Sequence, residues 1–385
     1  MRVLLIVRGT PSKKDPQWGC FEKDQAEALR SYGHSVVCLS VDTRFRLSAR
    51  RMGVSHKTIN GIEYYNSFIV PDKILRIFGR RCADYTMRRQ YYKLYLRAVR
   101  NHGRPDVIYS HWFFNTYWGV YLKNVSGVPL VGIEHAGRFN NDKLDKNTYY
   151  MASVAYSNAD AVVAVSESLK RRLKFHFNVD AFVVNNVVSL EFWEKPIQNT
   201  DDKKIRLIAV ASLVKSKGID ILIKACQRLS LDKSDWQLRI IGDGSERKNL
   251  QHLVADCGLT DHIFFEGRMQ KKDIAEMMLD SSLFVLPSKM ETFGLVYAEA
   301  LASGLPVVAT KCGGPEEIIN ASNGIIVPSW DVEALRCAIE NMCRNLANYD
   351  RESIRRNASV KYSGPNIASQ LTEVFKSVLK NDTEN

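Results

Sequence analysis

No apolar run in this chain approaches the eighteen or more residues that a helix needs to cross a bilayer, so a soluble or peripheral protein is expected. The opening MRVLLIV sets a short apolar run behind one basic residue, too short for the core of a signal peptide. Cysteines are present without a pairing pattern: the eight, at positions 20, 38, 82, 226, 257, 312, 337 and 343, form neither a CxxC pair nor a zinc-ligand spacing. That excludes a disulfide framework or cysteine zinc site read from spacing, and it points to reduced, mostly buried thiols in a reducing, cytoplasmic compartment. Acidic residues are short in one half only. Residues 1–196 hold 30 Lys and Arg against 17 Asp and Glu, while residues 197–385 hold 24 against 25, so the net charge of +12 resides in the N-terminal half.

At 385 residues the chain exceeds what one core serves and suits two domains of nearly equal size. Apolar strand-like runs alternate with helical patterns in both halves, which predicts α/β domains with parallel sheets. The polar stretch EKPIQNTDDKK marks a linker over 193–204, between domains at 1–192 and 205–362. An amphipathic helix from about Pro365 to Lys380 falls in a last segment, 363–385.

The most informative segment runs from Pro287 to Glu317, PSKMETFGLVYAEALASGLPVVATKCGGPEE. Leu283 to Pro287 is a short apolar run ending in proline, as a buried strand does, and Gly294 to Ser303 is rich in helix formers and stops before Gly304. On a strand, loop and helix start, the free amides of Phe293, Gly294 and Leu295 face an anion that the helix dipole favours. Glu291 lies just before that turn and Glu299 about one and a half turns into the helix. Carboxylates beside a diphosphate repel it unless they accept from hydroxyls, which fits a sugar on either side: a ribose diol at Glu299 and a second sugar at Glu291. The plainer alternative is an amphipathic helix with solvent-facing acids.

Around this segment the chain resembles the retaining glycosyltransferases of family 4. Matching pieces occur in order over most of its length: VASLVKSKGIDILIKA (Val210 to Ala225), LRIIGDGSERKNL (Leu238 to Leu250), IFFEGRM (Ile263 to Met269), the glutamate motif, and NGIIVP (Asn323 to Pro328). The resemblance implies the GT-B architecture, two Rossmann-like doubly wound parallel-sheet α/β domains facing a central cleft, with the last segment, 363–385, packing back on the N-terminal domain. It places Lys217 on the donor pyrophosphate, Glu299 on the ribose and Glu291 on the donor sugar. It also assigns Gly19, Ser212, Arg268, Met269, Phe293, Gly294 and Leu295 to the donor site. The family usually has an arginine beside the pyrophosphate where this chain has Ser212, so Lys215 or the backbone amides must make up a two-point fork that a lysine does not copy.

The N-terminal half opens as strand, loop, helix and strand, and its loop Thr10 to Phe21 is similar to the family's glycine-rich first loop, with the usual double glycine reduced to Gly19-Cys20. His111 in DVIYSHW and His135 in VGIEHAG end strand-like runs, where doubly wound sheets bind ligands. A lone histidine there is read first as a buried structural residue, and His111 is left so. The resemblance places His135 toward the donor sugar and acceptor. Asp160, Ser166 and Asn186 are read as caps and interdomain structure.

The basic excess gathers in Arg44 to Arg51 and in Arg76 to Arg104, where arginines interleave with Tyr85, Tyr91, Tyr92 and Tyr95. That composition suits an anionic membrane surface or a solvated basic face. Nucleic acid is the third reading, and no nucleic-acid motif accompanies it. The expectation is a retaining, hexose-type glycosyltransferase that takes a nucleotide diphosphate sugar and a saccharide or lipid-linked acceptor, in surface polysaccharide synthesis, cytoplasmic or peripheral on the inner face of the membrane. A sugar-nucleotide epimerase of the same architecture is the alternative. No cofactor is expected. Metal independence is expected too, since Asp201-Asp202 falls in the polar linker and Asp243 between glycines, leaving no DxD pair at the site.

Overall fold

Short apolar segments that alternate with amphipathic ones build two parallel sheets, each covered by its own crossover helices. The computed structural model describes residues 1–10, 18–44, 52–197 and 204–381. Part of the first loop (11–17), most of Arg44 to Arg51 (45–51) and the middle of the expected linker, with Asp201-Asp202 (198–203), lie outside the described residues. The chain divides into two units: Met1–Val187 together with the chain from Gly364, and Val188–Ser363.

The strands of the first unit are β1 (Arg2–Ile6), β2 (Ser35–Asp42), β3 (Gly53–Ile59), β4 (Ile62–Phe68), β5 (Val107–His111), β6 (Leu130–Glu134), β7 (Ala161–Ala164) and β8 (Phe182–Val183). Its helices are α1 (Cys20–Ser31), α2 (Asp72–Leu75), α3 (Arg80–His102), α4 (Phe113–Ser126), α5 (Lys146–Asn158) and α6 (Glu167–Phe177). The sheet order is β3-β4-β2-β1-β5-β6-β7-β8, with β3 the antiparallel edge. β1, β5, β6 and β7 are short and almost wholly apolar, as strands buried on both faces must be.

The second unit carries β9 (Ile205–Val210), α7 (Ile219–Gln227), β10 (Trp236–Ile241), α8 (Arg247–Asp256), β11 (Ile263–Gly267), α9 (Lys271–Leu279) and β12 (Leu283–Leu286). Then follow α10 (Leu295–Ala302), β13 (Val307–Thr310), α11 (Pro315–Ile318), β14 (Gly324–Val327), α12 (Val332–Arg344) and α13 (Arg351–Tyr362). All six strands are parallel, in the order β11-β10-β9-β12-β13-β14.

The last helix, α14 (Gly364–Asn381), belongs to the first unit and lies on α1. Its Thr372 Oγ1 is 2.7 Å from His34 Nε2, Ser369 accepts from the Tyr32 hydroxyl at 3.2 Å, and Phe375 meets Tyr109 edge to face. In both units the strand order reverses beside the first strand, between β1 and β5 and between β9 and β12. Those switch points open at the carboxyl ends of the strands, where doubly wound sheets take their ligands.

Candidate functional site

At the switch point of the second unit, the loops that leave β9 and β12 meet. The β9 loop closes as a short 3₁₀ turn, Lys215–Lys217, ended by Gly218 at φ +66. A Cβ on Gly218 would stand 2.2 Å from the Pro287 carbonyl oxygen, so only glycine lets the two loops touch. The Lys289 amide then donates to Ser216 O at 2.8 Å. This close approach brings Lys217 Nζ to 2.6 Å from Glu291 Oε1, an oxygen that also accepts from Ser288 Oγ at 2.8 Å. The Glu291 backbone is pinned in turn: its amide donates to Cys312 O at 3.0 Å, and its carbonyl accepts from the Gly314 amide at 3.1 Å. Burial, together with the carboxylates of Glu291 and Glu316, pushes the Cys312 thiol up to about 12, so that sulfur stays protonated.

Gly294, at φ +84, caps α10, and a Cβ there would strike the Tyr297 ring at 2.6 Å. The first amides of α10 have no intrahelical acceptor, and the Tyr297 amide is the one that returns to Gly294 O. Phe293 and Gly294 are buried, and the Phe293 ring packs edge to face on Tyr362, so Phe293 can offer a ligand its amide but not its side chain. Leu295 is half-buried at the helix start, and Glu299 is buried one turn on, 9% exposed.

The remaining candidates of this unit stand further out. Ser212 is exposed in the β9 loop, its carbonyl accepting from the Val214 amide at 2.9 Å. Arg268 is exposed and Met269 half-buried after β11, the edge strand. Motif spacing did not single out Arg247, whose guanidinium flanks Gly267 and lies 3.8 Å from Asp243.

The first unit has its own cluster at the β1/β5 switch point. Gly19 caps α1 at φ +79, and a Cβ there would sit 2.1 Å from Gly9 O. The Gly9 backbone, at φ +151, thus lies directly against Gly19. Glu22, in the first turn of α1 and 1% exposed, accepts from Arg8 Nε at 2.6 Å, Arg8 Nη2 at 3.1 Å and Trp112 Nε1 at 3.1 Å. Burial alone would raise Glu22; the Arg8 guanidinium and the nearby imidazoles outweigh it and hold the carboxyl at about 2.

Trp112 follows β5 at φ +73, strained for a residue with a side chain, and its ring lies under the Arg8 guanidinium at 4.3 Å. His111 Nδ1 is 3.2 Å from His135 Nε2, and the two rings stack. Burial is the main force lowering both imidazoles, His111 to about 4 and His135 well below its usual value, with Arg8 adding to it and Glu22 opposing. Both rings are thus neutral at pH 7. Among the described residues His111 Nε2 is buried without a hydrogen-bond partner, and the Asn186 side chain beside His135 pulls that imidazole up against burial.

Glu134 holds this cluster in place. One of its oxygens accepts from the amides of His135 and Ala136 at 2.8 and 2.7 Å, and the other from the Phe113 amide at 2.8 Å and the Tyr156 hydroxyl at 2.6 Å. Burial raises its pKa, against the pull of those four donors. Asp160 and Ser166 do structural work: Asp160 takes Lys123 and the Leu130 amide, and Ser166 caps α6. Glu22, Arg8, Trp112 and Glu134 were not singled out in the sequence. IEHAG carried the one local signal, an acid beside the histidine.

Two doubly wound parallel units with their polar groups gathered at the switch points, one of them a lysine and two glutamates around a helix start, define a glycosyltransferase of the GT-B class. Residues 23–192 match the family model Glycosyltransferase Family 4, and residues 192–360 match Glycosyl transferases group 1. An uncharacterized glycosyltransferase of Methanocaldococcus jannaschii is 30% identical over 256 residues, 66% of this chain and 70% of that relative. Sucrose-phosphate synthase from Thermosynechococcus elongatus has the same fold, with a TM-score of 0.78 at 18% identity over 99% of this chain and 100% of that one. So does Anabaena HepE, solved with UDP and glucose: 0.73 at 19% identity, over 98% and 100%. This chain belongs to the group 1, family 4 glycosyltransferases.

Proposed function

We propose that this glycosyltransferase moves a hexose-type sugar from a nucleoside diphosphate donor to a saccharide or lipid-linked saccharide acceptor, with retention at the anomeric carbon and without a metal ion. The observation that carries the reading is the Lys217–Glu291 contact beside the open start of α10. Charge develops on the departing diphosphate, and in this reading Lys217 and the amides of Phe293, Gly294 and Leu295 receive it. Glu299 takes the ribose hydroxyls and Glu291 those of the transferred sugar. With the diphosphate bound, Lys217 answers its charge and frees Glu291 to accept from the sugar.

No protein nucleophile is assigned. The leaving phosphate accepts the acceptor's proton as the new bond forms on the face that the diphosphate leaves. His135, neutral at pH 7, positions the sugar and the acceptor by hydrogen bonds and does not act as an obligatory base. Among the described residues no helix is long and apolar enough to cross a membrane. The basic first half supports work at the inner face of a membrane, in surface polysaccharide synthesis.

The test is turnover of nucleotide sugars with and without a saccharide acceptor, in EDTA. UDP-glucose comes first, because the HepE structure holds UDP and glucose. Nucleoside diphosphate released in step with acceptor, in a product that keeps the donor's anomeric configuration by NMR, is the expected result. Conversion of the sugar nucleotide without acceptor would turn the reading to an epimerase. Activity lost in EDTA and restored by a divalent ion would overturn metal independence.

A further inference from the structure

We propose that the outward face formed by α2, the 3₁₀ turn Arg76–Phe78 and the first half of α3 docks on an anionic lipid bilayer, with Ile77 and Phe78 as the inserted pair. This deepens the peripheral membrane reading above by naming the face and the side chains. α3 buries Ala83, Met87, Tyr91, Leu94, Tyr95 and Ala98, an i, i+4 stripe that seats the helix on its own unit. A solvated basic helix would show only polar groups on its other side. Here that side is amphipathic in its own right: Tyr85, in the first half of α3, is 67% exposed, and exposed Tyr92 and Leu96 continue its line beyond the docking face.

At its head stand two adjacent apolar side chains turned to solvent, Ile77 at 78% and Phe78 at 72% exposure. Gly79, at φ +92, separates this turn from α3. Scattered single apolar residues on a surface need no explanation, whereas an adjacent pair on a turn does.

Charge names the occupant. From Asp72 to Arg104 the chain holds ten Lys and Arg and two Asp. Arg76 pairs with Asp72 at 2.6 Å and Arg80 stands 4.0 Å from Asp84; among the described residues the other cations have no carboxylate partner. Arg80 and Arg81 also open α3, where a helix dipole favours anions and no acidic residue sits in the first turn. Within the fold that placement is unfavourable, and lipid phosphates at the level of the turn would relieve it. The Arg80 guanidinium lies 4.2 Å over the ring of Tyr150, itself 46% exposed, which widens the face with an aromatic suited to the headgroup layer. Cations around an apolar tip are the two signals that reversible binding to an anionic bilayer needs.

The test is co-sedimentation of the full-length protein with vesicles of phosphatidylcholine alone and with about 30% phosphatidylglycerol added. Salt is varied, and Ile77→Ser/Phe78→Ser and Arg80→Glu/Arg81→Glu are compared with wild type. Both pairs are exposed, so an unchanged Tm is the folding control. Expected is binding to the anionic vesicles alone, weakened about tenfold or more by either double substitution and by high salt. Wild-type protein that ignores anionic vesicles would overturn both the docking face and the peripheral membrane reading. Binding that Ile77→Ser/Phe78→Ser leaves unchanged would overturn this face and leave the wider reading standing. A labelled oligonucleotide that displaces the protein from vesicles at physiological salt would give the face to nucleic acid.

Discussion

At the scale of single residues, Lys217 and Glu291 of the second-unit site are held by identifiable partners. Glu291 is fixed from both directions, by its backbone pairing with the loop after β13 and by the two donors on Oε1, so its carboxylate is preorganised before any ligand arrives. Glu299→Ala should raise the donor KM by about 5- to 150-fold, the equivalent of about 1–3 kcal/mol for a charged hydrogen bond. Steady-state kinetics with varied donor reads it directly, and an unchanged KM would remove Glu299 from the site. Lys217→Ala should lower kcat/KM by about 10² to 10³, as removing one preorganised donor to a developing charge does. Because Lys217 and Glu291 touch, Lys217→Ala/Glu291→Gln should lose less than the two single losses combined. Strict additivity in that double-mutant cycle would mean that the contact has no part in turnover.

At the scale of elements, what was legible in the sequence followed from periodicity and punctuation. Leu283 to Pro287 and Gly294 to Ser303 became β12 and α10 within a residue or so, because a proline and two glycines close those segments locally. The site of the first unit was far less legible. The Trp112 to Glu22 bond spans 90 residues and the Arg8 to Glu22 bond 14, and no local pattern in either segment signals the other. Gly9 was invisible for the same reason, since it is the carbonyl of Gly9 that forbids a side chain at Gly19.

Glu134 joins the loops after β5 and β6, and that makes it testable as a positioning residue. In Glu134→Gln one oxygen becomes an amide donor facing groups that already donate, so a bond is lost and the His135 loop loosens. The expected result is a fall in kcat larger than any rise in donor KM, with Glu134→Ala worse. A Tm that drops with kcat untouched would make the residue structural alone.

At the scale of the whole molecule, the buried charges set a dependence on pH. A histidine depressed in the folded state contributes stability above its unfolded value and loses it on acidification, so His111 acts from 6.5 down through about 4. Glu22, a depressed carboxyl, follows from 4.5 down through about 2, a shift equivalent to about 3 kcal/mol at neutral pH. Tm should therefore fall steadily below pH 6.5, and His111→Gln should flatten the upper part of that curve. A Tm constant from pH 7 to 4 would contradict the buried neutral pair.

The most direct measurement is Tm of the intact protein with UDP, GDP, ADP and CMP, each in EDTA and in magnesium, for wild type and Glu299→Ala. A ligand at about 100 times its Kd stabilises the folded state by about 2.7 kcal/mol, a rise of several degrees. Expected is a shift with one nucleoside diphosphate, equal in EDTA and magnesium and much reduced in Glu299→Ala. No shift with any of them would contradict a donor site built around Lys217, Glu291 and the start of α10.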